Sequence, residues 1–326
     1  MNRDEIFMQR CFQLAESGCG NTDTNPMVGC VVVHENEIIG EGFHHRYGEA
    51  HAEVNALASV KKTDLLPDTT LYVNLEPCCH VGKTPPCVDL IIEKKIKEVV
   101  ICNRDPNPKV NGGGIARLKQ HHIDVRVGIL EKEGRFLNRR FFTWIEKKRP
   151  YIILKWAQTA NGYMAPETSK KNYWITNDAL KVLNHKWRTE EKALLIGYNT
   201  ALSDNPQLTN RHFFGKDPIR IVIDPEGTLP KSLNIFQGEH PACVLSTPDE
   251  LFSKAPEKKW ISVIVEGGAR TLQWFLEENL WDEARVLTGN IHFASGLPAP
   301  SLALISKEEH KLGDNRVRLY VNNNAR

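Results

Sequence analysis

The amino-acid sequence predicts an α/β protein built from two unlike domains. The chain has 326 residues, which exceeds one typical domain and suits two of ordinary size. In each half, short β-rich runs alternate with runs of helical periodicity, and this alternation is typical of a sheet covered by helices. The two halves share no period, so we interpret the chain as a fusion of two different domains.

The first half begins with an amphipathic helix predicted over residues 4–17, where apolar positions recur at helical spacing. Two β-rich runs, 28–33 and 37–39, flank a His-Glu-Asn sequence and predict a hairpin. The pattern then predicts, in order, a helix over 50–60, a strand over 70–75, a helix over 87–96, a strand over 98–102, a helix over 115–121 and a strand over 123–127.

A stretch rich in Lys and Arg separates the halves. It covers residues 131–150, and its interleaved aromatic residues favour an amphipathic connecting helix with a solvated basic face. We place the boundary near Lys148, which gives domains 1–147 and 148–326. The second half is predicted to contain strands over 151–157, 193–196, 219–223, 242–245 and 261–265, and helices over 178–188 and 271–277.

Composition excludes several classes of protein. Hydrophobic residues make up 41% and charged residues 25%, which is ordinary globular composition. No apolar run reaches the roughly 18 residues of a membrane span, and the acidic start does not resemble a secretory signal, so we expect a cytoplasmic protein. A net charge of +2 is too small for a nucleic-acid-binding domain, and this favours a small-molecule substrate. Seven of the eight cysteines lie in the first third of the chain, and this crowding favours a metal site over disulfides.

A histidine, a glutamate and two cysteines follow one another in the order found in zinc-dependent nucleobase deaminases. They are His51 and Glu53 at a predicted helix start, Cys78 directly after Pro77, and Cys87. One imidazole and two thiolates would hold a tetrahedral zinc and leave a fourth position for water, whose pKa then falls toward neutrality. Glu53 would transfer the proton of that water to the ring nitrogen and then to the departing amine.

The structure must meet two conditions for this set to work. Residues two apart on a regular helix point in almost opposite directions, so His51 and Glu53 can reach one metal only where the helix begins. Cys87 starts a predicted helix, and we expect the helix dipole to lower the pKa of its thiol. Spacing alone gives Cys79 nearly the same claim as Cys78 to be the ligand.

Further runs in the first half resemble the bifunctional deaminase-reductase family of riboflavin biosynthesis: residues 25–30, 40–44, 48–54, 75–78, 82–87 and 105–108. The resemblance implies a cytidine-deaminase-like α/β/α domain, and it favours Cys78 over Cys79 because the family's ligand directly follows proline. It also implies that the domain removes the 2-amino group of 2,5-diamino-6-(5-phosphoribosylamino)pyrimidin-4(3H)-one. The residues implied to shape the substrate pocket are Asn25, His44, Lys83 and Thr84.

The second half resembles the reductase domain of the same family, over runs that include 174–176, 204–211, 218–224 and 266–268. The resemblance implies a dihydrofolate-reductase-like α/β domain that uses NADPH to reduce 5-amino-6-(5-phosphoribosylamino)uracil to the ribityl product. The residues implied to bind substrate are Lys155, Asn172, Arg188, Leu208, Arg211 and Glu266. Those implied to bind the cofactor are Ala157, Trp174, Thr200, Asp204, Gly267 and Gly268.

Some of these residue types suit their implied tasks on chemical grounds. Gly267 and Gly268 follow an apolar strand and precede a helix, so the backbone there can approach a cofactor phosphate. Within the resemblance, Arg188 and Arg211 would bind the substrate phosphate through their planar forks. The absence of a Gly-x-Gly-x-x-Gly sequence argues against a Rossmann site. Because family members are commonly oligomers, the resemblance also implies a homo-oligomer.

Two other interpretations remain open at this point. The chain could be a nucleobase or nucleic-acid deaminase whose C-terminal half is a non-catalytic binding domain, although the small net charge and the loop over 79–86 count against it. It could instead be a non-catalytic relative that keeps both folds. The complete set of His51, Glu53, Cys78 and Cys87 counts against that interpretation for the first domain.

Overall fold

The computed structural model describes residues 2–82, 85–167 and 174–326. The chain forms two compact units, Met1–Lys147 and Lys148–Arg326. Each unit combines a β-sheet with helices, so the predicted α/β class is confirmed. Within the described ranges, no helix has the length and apolar character needed to traverse a lipid bilayer.

A five-stranded sheet in the order β2-β1-β3-β4-β5 forms the centre of the first unit. Its strands are β1 (Gly29–His34), β2 (Glu37–Phe43), β3 (Thr70–Leu75), β4 (Glu98–Asn103) and β5 (Asp124–Val127). The helices are α1 (Arg3–Glu16), α2 (Ala52–Ser59), α3 (Cys87–Glu93), α4 (Gly113–Gln120), α5 (Glu131–Leu137) and α6 (Arg139–Lys147), with a 3-10 turn at Thr63–Asp68. The predicted hairpin joins β1 to β2, and both of its turn residues, Glu35 and Asn36, have positive φ as a tight hairpin turn requires.

Alternation along the strands builds a core on each face of this sheet. Val32 and Leu71 lie on one face and pack with Ile91 of α3 and with α2. Val31 and Tyr72 lie on the other face and pack against α1. The strands β3, β4 and β5 are parallel, so their carboxyl ends meet at one edge of the sheet. Functional side chains in α/β folds gather at this kind of edge.

An eight-stranded sheet in the order β10-β9-β8-β11-β6-β12-β15-β14 forms the second unit, with a two-stranded sheet of β13 and β7 beside it. The strands are β6 (Tyr151–Gln158), β7 (Tyr163–Pro166), β8 (Ala193–Gly197), β9 (Ile219–Ile223), β10 (Cys243–Leu245), β11 (Ser262–Val265), β12 (Glu283–Thr288), β13 (Gly296–Pro298), β14 (Glu308–Leu312) and β15 (Asn315–Val321). The helices are α7 (Asp178–Glu190), α8 (Tyr198–Asp204), α9 (Glu250–Lys258) and α10 (Ala269–Glu277), with a 3-10 turn at Asn234–Phe236. The first six strands in this spatial order, β10-β9-β8-β11-β6-β12, pair with one another in parallel. The last two, β15 and β14, are added in antiparallel pairing.

The structure differs from the sequence prediction between residues 131 and 150. Two helices, α5 and α6, replace the single predicted helix, and they meet at Asn138. The buried amide of Asn138 accepts the N–H of Met27 at 2.8 Å and donates to its carbonyl at 2.9 Å. This residue forms a specific contact with a distant loop, which helical periodicity does not reveal.

Strand β12 is absent from the prediction because it carries charged residues in its buried part. Arg285 donates to Glu283 at 2.6 Å and to Glu191 at 3.3 Å, and all of these side chains are buried. Pairing makes such charges tolerable in a core, so the strand does not alternate between apolar and polar residues as a half-exposed strand would. The sequence pattern also does not predict β7, α8, α9, β13, β14 and β15.

Candidate zinc centre and cofactor site

Three side chains of the first unit converge in the geometry of a zinc site. His51 Nδ1 lies 3.2 Å from Cys87 Sγ and 3.5 Å from Cys78 Sγ, and the ligand atoms of all three lie within 4.8 Å of one another. Zn–N and Zn–S bonds at tetrahedral angles would place nitrogen and sulfur about 3.6 Å apart. The donor set and its spacing therefore fit zinc, with a fourth position left for water.

Local backbone structure brings these groups to one point. His51 is the N-cap of α2, with an extended backbone at φ −75° and ψ 165°, and Glu53 lies in the first turn of that helix. Cys78 follows the end of β3, and Cys87 is the first residue of α3. The side chains of His51, Glu53 and Cys78 line the same cavity. His51 and Glu53 thus reach the same place, and the condition set by their spacing is met.

Burial dominates the electrostatics of Glu53. The side chain is almost fully enclosed, and burial followed by the negative charge of Cys78 raises its pKa to about 7. A carboxyl group with such a pKa can both take up and release a proton near neutral pH, as a general acid and base must.

The expectation of a lowered pKa for Cys87 is wrong. Its backbone N–H, the first of α3, donates to Cys78 Sγ at 3.3 Å, so the start of this helix stabilises Cys78. A side-chain hydrogen bond with Cys87, together with one from His51, lowers the pKa of Cys78. The hydrogen bond to Cys78 and burial raise the pKa of Cys87. In the metal-free chain, Cys78 is therefore the first of the two thiols to lose its proton.

Cys79 lies apart from this cluster. Its sulfur lies 3.8 Å from the carbonyl oxygen of Lys109. Among the residues that the structure describes, the side chains close enough to share a metal ion are those of His51, Cys78 and Cys87. The structure thus separates two cysteines that spacing alone could not.

A cavity of 480 Å³ opens over the cluster, and the predicted pocket residues Asn25 and His44 line it with His51 and Glu53. His44 Nδ1 lies 3.0 Å from the carbonyl oxygen of Ala50, which can only accept, so Nδ1 carries the proton. His44 Nε2 then accepts from the amide of Asn25 at 3.1 Å. Burial also lowers the pKa of His44, and the ring is neutral. Lys83 and Thr84 lie outside the described residues.

Sequence reasoning missed a large part of the cavity wall. One side comes from helix α6, which the sequence predicts only as part of an amphipathic connecting helix with a solvated basic face. Another comes from the segment after β4, which belongs to a quoted run but received no role. The cavity residues from these two segments are Asp105, Asn107, Lys109, Val110, Phe141, Trp144 and Ile145. Of these, Asp105 is buried, and burial raises its pKa to about 6.

In the second unit, three predicted substrate residues form a buried ionic cluster. Arg188 donates to both carboxylate oxygens of Glu266, at 2.9 and 2.8 Å, and Lys155 Nζ lies 3.6 Å from the same carboxylate. Parallel pairing of β11 with β6 sets Val265 opposite Leu154, which brings Glu266 beside Lys155. Despite burial, these cations lower the pKa of Glu266 to about 2, whereas burial lowers the pKa of Lys155.

The role that we expected for Arg188 changes with this geometry. Its remaining described bond goes to the carbonyl of Thr209 at 3.2 Å, so its fork points at Glu266 rather than at a ligand phosphate. Arg211 is exposed, and its guanidinium lies near Gln207 and Thr209. Arg211 therefore remains the candidate for the phosphate. Leu208 is buried in the hydrophobic core of this unit with φ at 57°, an unusual conformation for a leucine.

A second cavity, of 590 Å³, lies at the carboxyl ends of β8, β9 and β11, and the predicted residues Thr200 and Gly268 line it. A Cβ on Gly197 would lie 2.3 Å from Thr271 Oγ1, and one on Gly268 would lie 3.1 Å from Thr200 Oγ1. Glycines keep this edge narrow and leave the backbone accessible at the start of α10, whose N-cap is Gly268. Such an arrangement fits the phosphates of a dinucleotide.

The other predicted cofactor residues occupy varied positions. Ala157 is half-buried near the end of β6, and Gly267 is buried with its Cα facing Thr271. Asp204 is exposed at the end of α8. Trp174 is 69% exposed, and Lys181 Nζ lies 4.5 Å from the centre of its ring. Asn172, predicted to bind substrate, lies outside the described residues.

Comparison with known families gives each half a match. Residues 1–103 match the model of the cytidine and deoxycytidylate deaminase zinc-binding region. Residues 150–293 match the model of the RibD C-terminal domain. With the zinc geometry and the cofactor cavity, these matches define an enzyme that joins a zinc-dependent deaminase to a reductase.

Relatives of full length identify the family. The riboflavin biosynthesis protein RibD of Aquifex aeolicus is 38% identical over 94% of this chain and 92% of its own length. That of Bacillus amyloliquefaciens is 35% identical over 92% of this chain and 87% of its own. A solved diaminohydroxyphosphoribosylaminopyrimidine deaminase/5-amino-6-(5-phosphoribosylamino)uracil reductase of Thermotoga maritima matches with a TM-score of 0.87 and 35% identity, over 97% of this chain and 98% of its own.

This chain belongs to the RibD family, the bifunctional deaminase-reductases of riboflavin biosynthesis. The predicted family and fold class are thereby confirmed, as are zinc and NADPH as its cofactors. A nucleic-acid deaminase with a non-catalytic C-terminal domain is not favoured, because the relatives match both halves.

Proposed function

We propose that residues 1–147 remove the 2-amino group of 2,5-diamino-6-(5-phosphoribosylamino)pyrimidin-4(3H)-one, and that residues 148–326 reduce 5-amino-6-(5-phosphoribosylamino)uracil to its ribityl product. The clustering of His51, Cys78, Cys87 and the buried Glu53 under one cavity carries the first assignment. The Thermotoga maritima relative is named after a deaminase and a reductase acting on these two compounds, and this supports the proposed substrates.

In the deaminase, His51, Cys78 and Cys87 would hold zinc, which lowers the pKa of a water so that it can attack carbon at neutral pH. Glu53 takes a proton from the attacking water and delivers it to the ring nitrogen. It then takes the second proton of that water, now on the hydroxyl group added to the ring carbon, and gives it to the amine, which leaves as ammonia while a carbonyl group forms on the ring. Neutral His44 and Asn25 line the cavity beside this point and orient the pyrimidine ring. Lys83 and Thr84 are further proposed substrate residues.

In the reductase, the residues at the carboxyl edge of the large sheet would hold NADPH, which supplies the hydride. Thr200, Gly267 and Gly268 would approach its phosphates at the start of α10. Ala157, Trp174 and Asp204 are the other proposed cofactor residues.

The proposed reductase substrate site adjoins the buried ionic cluster. Lys155 and Glu266 would contact the ribosyl group, with Arg188 holding Glu266 in place. Arg211 would bind the phosphate, because its side chain is exposed and cationic. Leu208 and Asn172 complete the proposed substrate residues.

Separate loss of the two activities tests this division. Glu53→Gln keeps size and polarity but cannot carry the proton, so ammonia release should fall by about 10²- to 10⁴-fold while zinc stays bound. The same variant, given deaminated substrate, should consume NADPH at the wild-type rate. Lys155→Ala with Arg211→Ala should have the opposite effect. Loss of both activities from zinc-loaded Glu53→Gln would contradict the division.

For the whole protein, we also propose a cytoplasmic homo-oligomer that takes small phosphoribosyl-pyrimidine substrates. The absence of bridged cysteines among the described residues and the family membership support this. Light scattering on the purified chain would measure the oligomeric state, and a monomer at micromolar concentration would contradict it.

A further inference from the structure

Glu76 is a buried carboxylate that the reaction scheme above does not use. It lies between the end of β3 and the proposed zinc ligand Cys78, and only 3% of the residue is exposed. Its own backbone N–H donates to the carbonyl of Asn103 at the end of β4, at 2.9 Å. A buried carboxylate is costly unless hydrogen bonds satisfy it, so its partners indicate what it does.

Its partners are three backbone N–H groups of one segment. Asp105 N donates to Glu76 Oε2 at 3.2 Å and Gly112 N to the same oxygen at 3.0 Å, while Ile115 N donates to Oε1 at 3.1 Å. Gly112 is the N-cap of α4 and Ile115 lies in its first turn, so the carboxylate also caps this helix. One side chain therefore fixes both ends of the segment over residues 105–115.

Close packing leaves this segment no alternative path. A Cβ on Gly114 would lie 2.2 Å from the carbonyl oxygen of Pro77, and one on Gly113 would lie 2.9 Å from Cys79 Sγ. The start of α4 is thus pressed against the chain that carries Glu76 and Cys78. Between its two fixed ends, the segment places Asp105, Asn107, Lys109 and Val110 on the wall of the deaminase cavity.

We propose that Glu76 is a positioning residue of the deaminase, whose carboxylate holds residues 105–115 in place so that Asp105, Asn107 and Lys109 form the substrate-facing wall. The inference rests on the proposed deaminase function. It assigns to Glu76 an effect on substrate binding that is exerted through another part of the chain.

Substitutions at this position separate hydrogen-bonding geometry from charge. In Glu76→Gln, one carboxylate oxygen becomes an amide nitrogen, which cannot accept a hydrogen bond. Fewer bonds are lost if this nitrogen takes the position of Oε1, which accepts only from Ile115, than if it takes the position of Oε2, which accepts from two N–H groups. Glu76→Asp keeps the charge but is shorter by one carbon–carbon bond of about 1.5 Å, so it cannot reach all three donors. If only the negative charge near the zinc site mattered, Glu76→Asp would bind substrate as the wild type does. If the hydrogen bonds that hold residues 105–115 in place matter, both variants should bind substrate more weakly.

The first measurement is steady-state deamination of the diaminopyrimidinone by the full-length, zinc-loaded protein. Loss of one charge-assisted hydrogen bond should raise KM about tenfold, and Glu76→Ala, which loses all three, should raise it further. We expect kcat to stay within about threefold of wild type, because Glu53 and the ligands are unchanged. Glu98→Gln is the matched control. Glu98 begins the same β4 strand whose end adjoins Glu76, and its carboxylate accepts from Thr70 and Arg126 away from the cavity.

The second measurement is amide hydrogen exchange, which does not depend on activity. Glu76→Gln should accelerate exchange chiefly at Ile115, and Glu76→Ala at Asp105, Gly112 and Ile115, while the zinc content stays at wild-type level. Unchanged exchange at these amides would overturn the proposal. So would an unchanged KM, or a loss of kcat alone, which would indicate direct contact with the reacting atoms. A wild-type protein that releases no ammonia would refute the proposed function, and the exchange data would still decide the role of Glu76.

Discussion

Replacing Glu266 by glutamine should destabilise the second unit strongly, because two buried cations then lose the carboxylate that pairs with them. The carboxylate holds Arg188 through two bonds of 2.9 and 2.8 Å and lies 3.6 Å from Lys155 Nζ. The exposed fractions of the three side chains are only 9%, 11% and 12%. Water therefore cannot replace the lost charge.

The size of the effect follows from this burial. Removing one partner of a buried, hydrogen-bonded ion pair costs about 3–5 kcal/mol of unfolding free energy, chiefly because the remaining charge is left unpaired. For a domain of this size, such a loss lowers Tm by about 6–20 °C. Glu309→Gln is the matched control: its carboxylate accepts from Arg318 at 2.8 Å, but the side chains are 43% and 33% exposed. Exposed pairs of this kind contribute little, so Tm should hardly move.

Tryptophan fluorescence is a suitable assay, since six of the seven tryptophans follow Lys148 and only Trp144 precedes it. Thermal and urea unfolding of the full chain should show the early transition in Glu266→Gln. Adding Arg188→Met removes one of the two unpaired cations and should recover part of the lost stability. If Glu266→Gln and Glu309→Gln unfold at the same temperature and the same urea concentration, the cluster is not the buried ionic network that we describe.

Two further predictions concern the zinc site and pH. Cys78→Ser should lose zinc and Cys79→Ser should keep it, because the sulfur of Cys79 lies near the carbonyl of Lys109 instead; metal analysis that finds zinc lost only from Cys79→Ser would reverse the assignment. Burial and the nearby Arg188 lower the pKa of His185 from 6.5 to about 4. The unfolded chain therefore takes up the proton first as the pH falls, and the second unit should lose stability between about pH 6.5 and 4. His185→Gln should flatten this dependence in urea unfolding, and an equal slope in both proteins would exclude His185 as its cause.

The proposed zinc ligands could be selected from the sequence because their chemistry is rare and local. His51 and Glu53 stand together, Cys78 follows proline, and few other functions require these residue types in this order. The pKa of Cys87 could not be inferred in the same way. Its position at the start of α3 was correctly predicted, yet its N–H stabilises the sulfur of Cys78, which comes from a different element.

The walls of the cavity illustrate a further limit. Trp144 lies in the predicted connecting helix, and Asp105 lies in one of the sequence runs that resemble the deaminase-reductase family. Both residues line the cavity. Nothing in the periodicity of either segment indicates that it faces the zinc cluster, because periodicity reports which side of an element is buried and not what buries it. Charged residues are an equally ambiguous sign of exposure in β12, because Arg285 and Glu283 pair with each other and are both buried in the core.

The sequence by itself determined the two α/β domains, the order of most central elements, and the set of His51, Cys78 and Cys87 that the structure brings together. These depend on local periodicity and on residue chemistry, both of which can be recognised along the chain. Only the tertiary structure decided that Arg188 binds Glu266, that Glu76 holds a distant segment, and that α6 faces the deaminase cavity. Each of these contacts joins residues far apart in the chain, and their geometry is set by how sheets and helices pack rather than by the neighbours of any one residue.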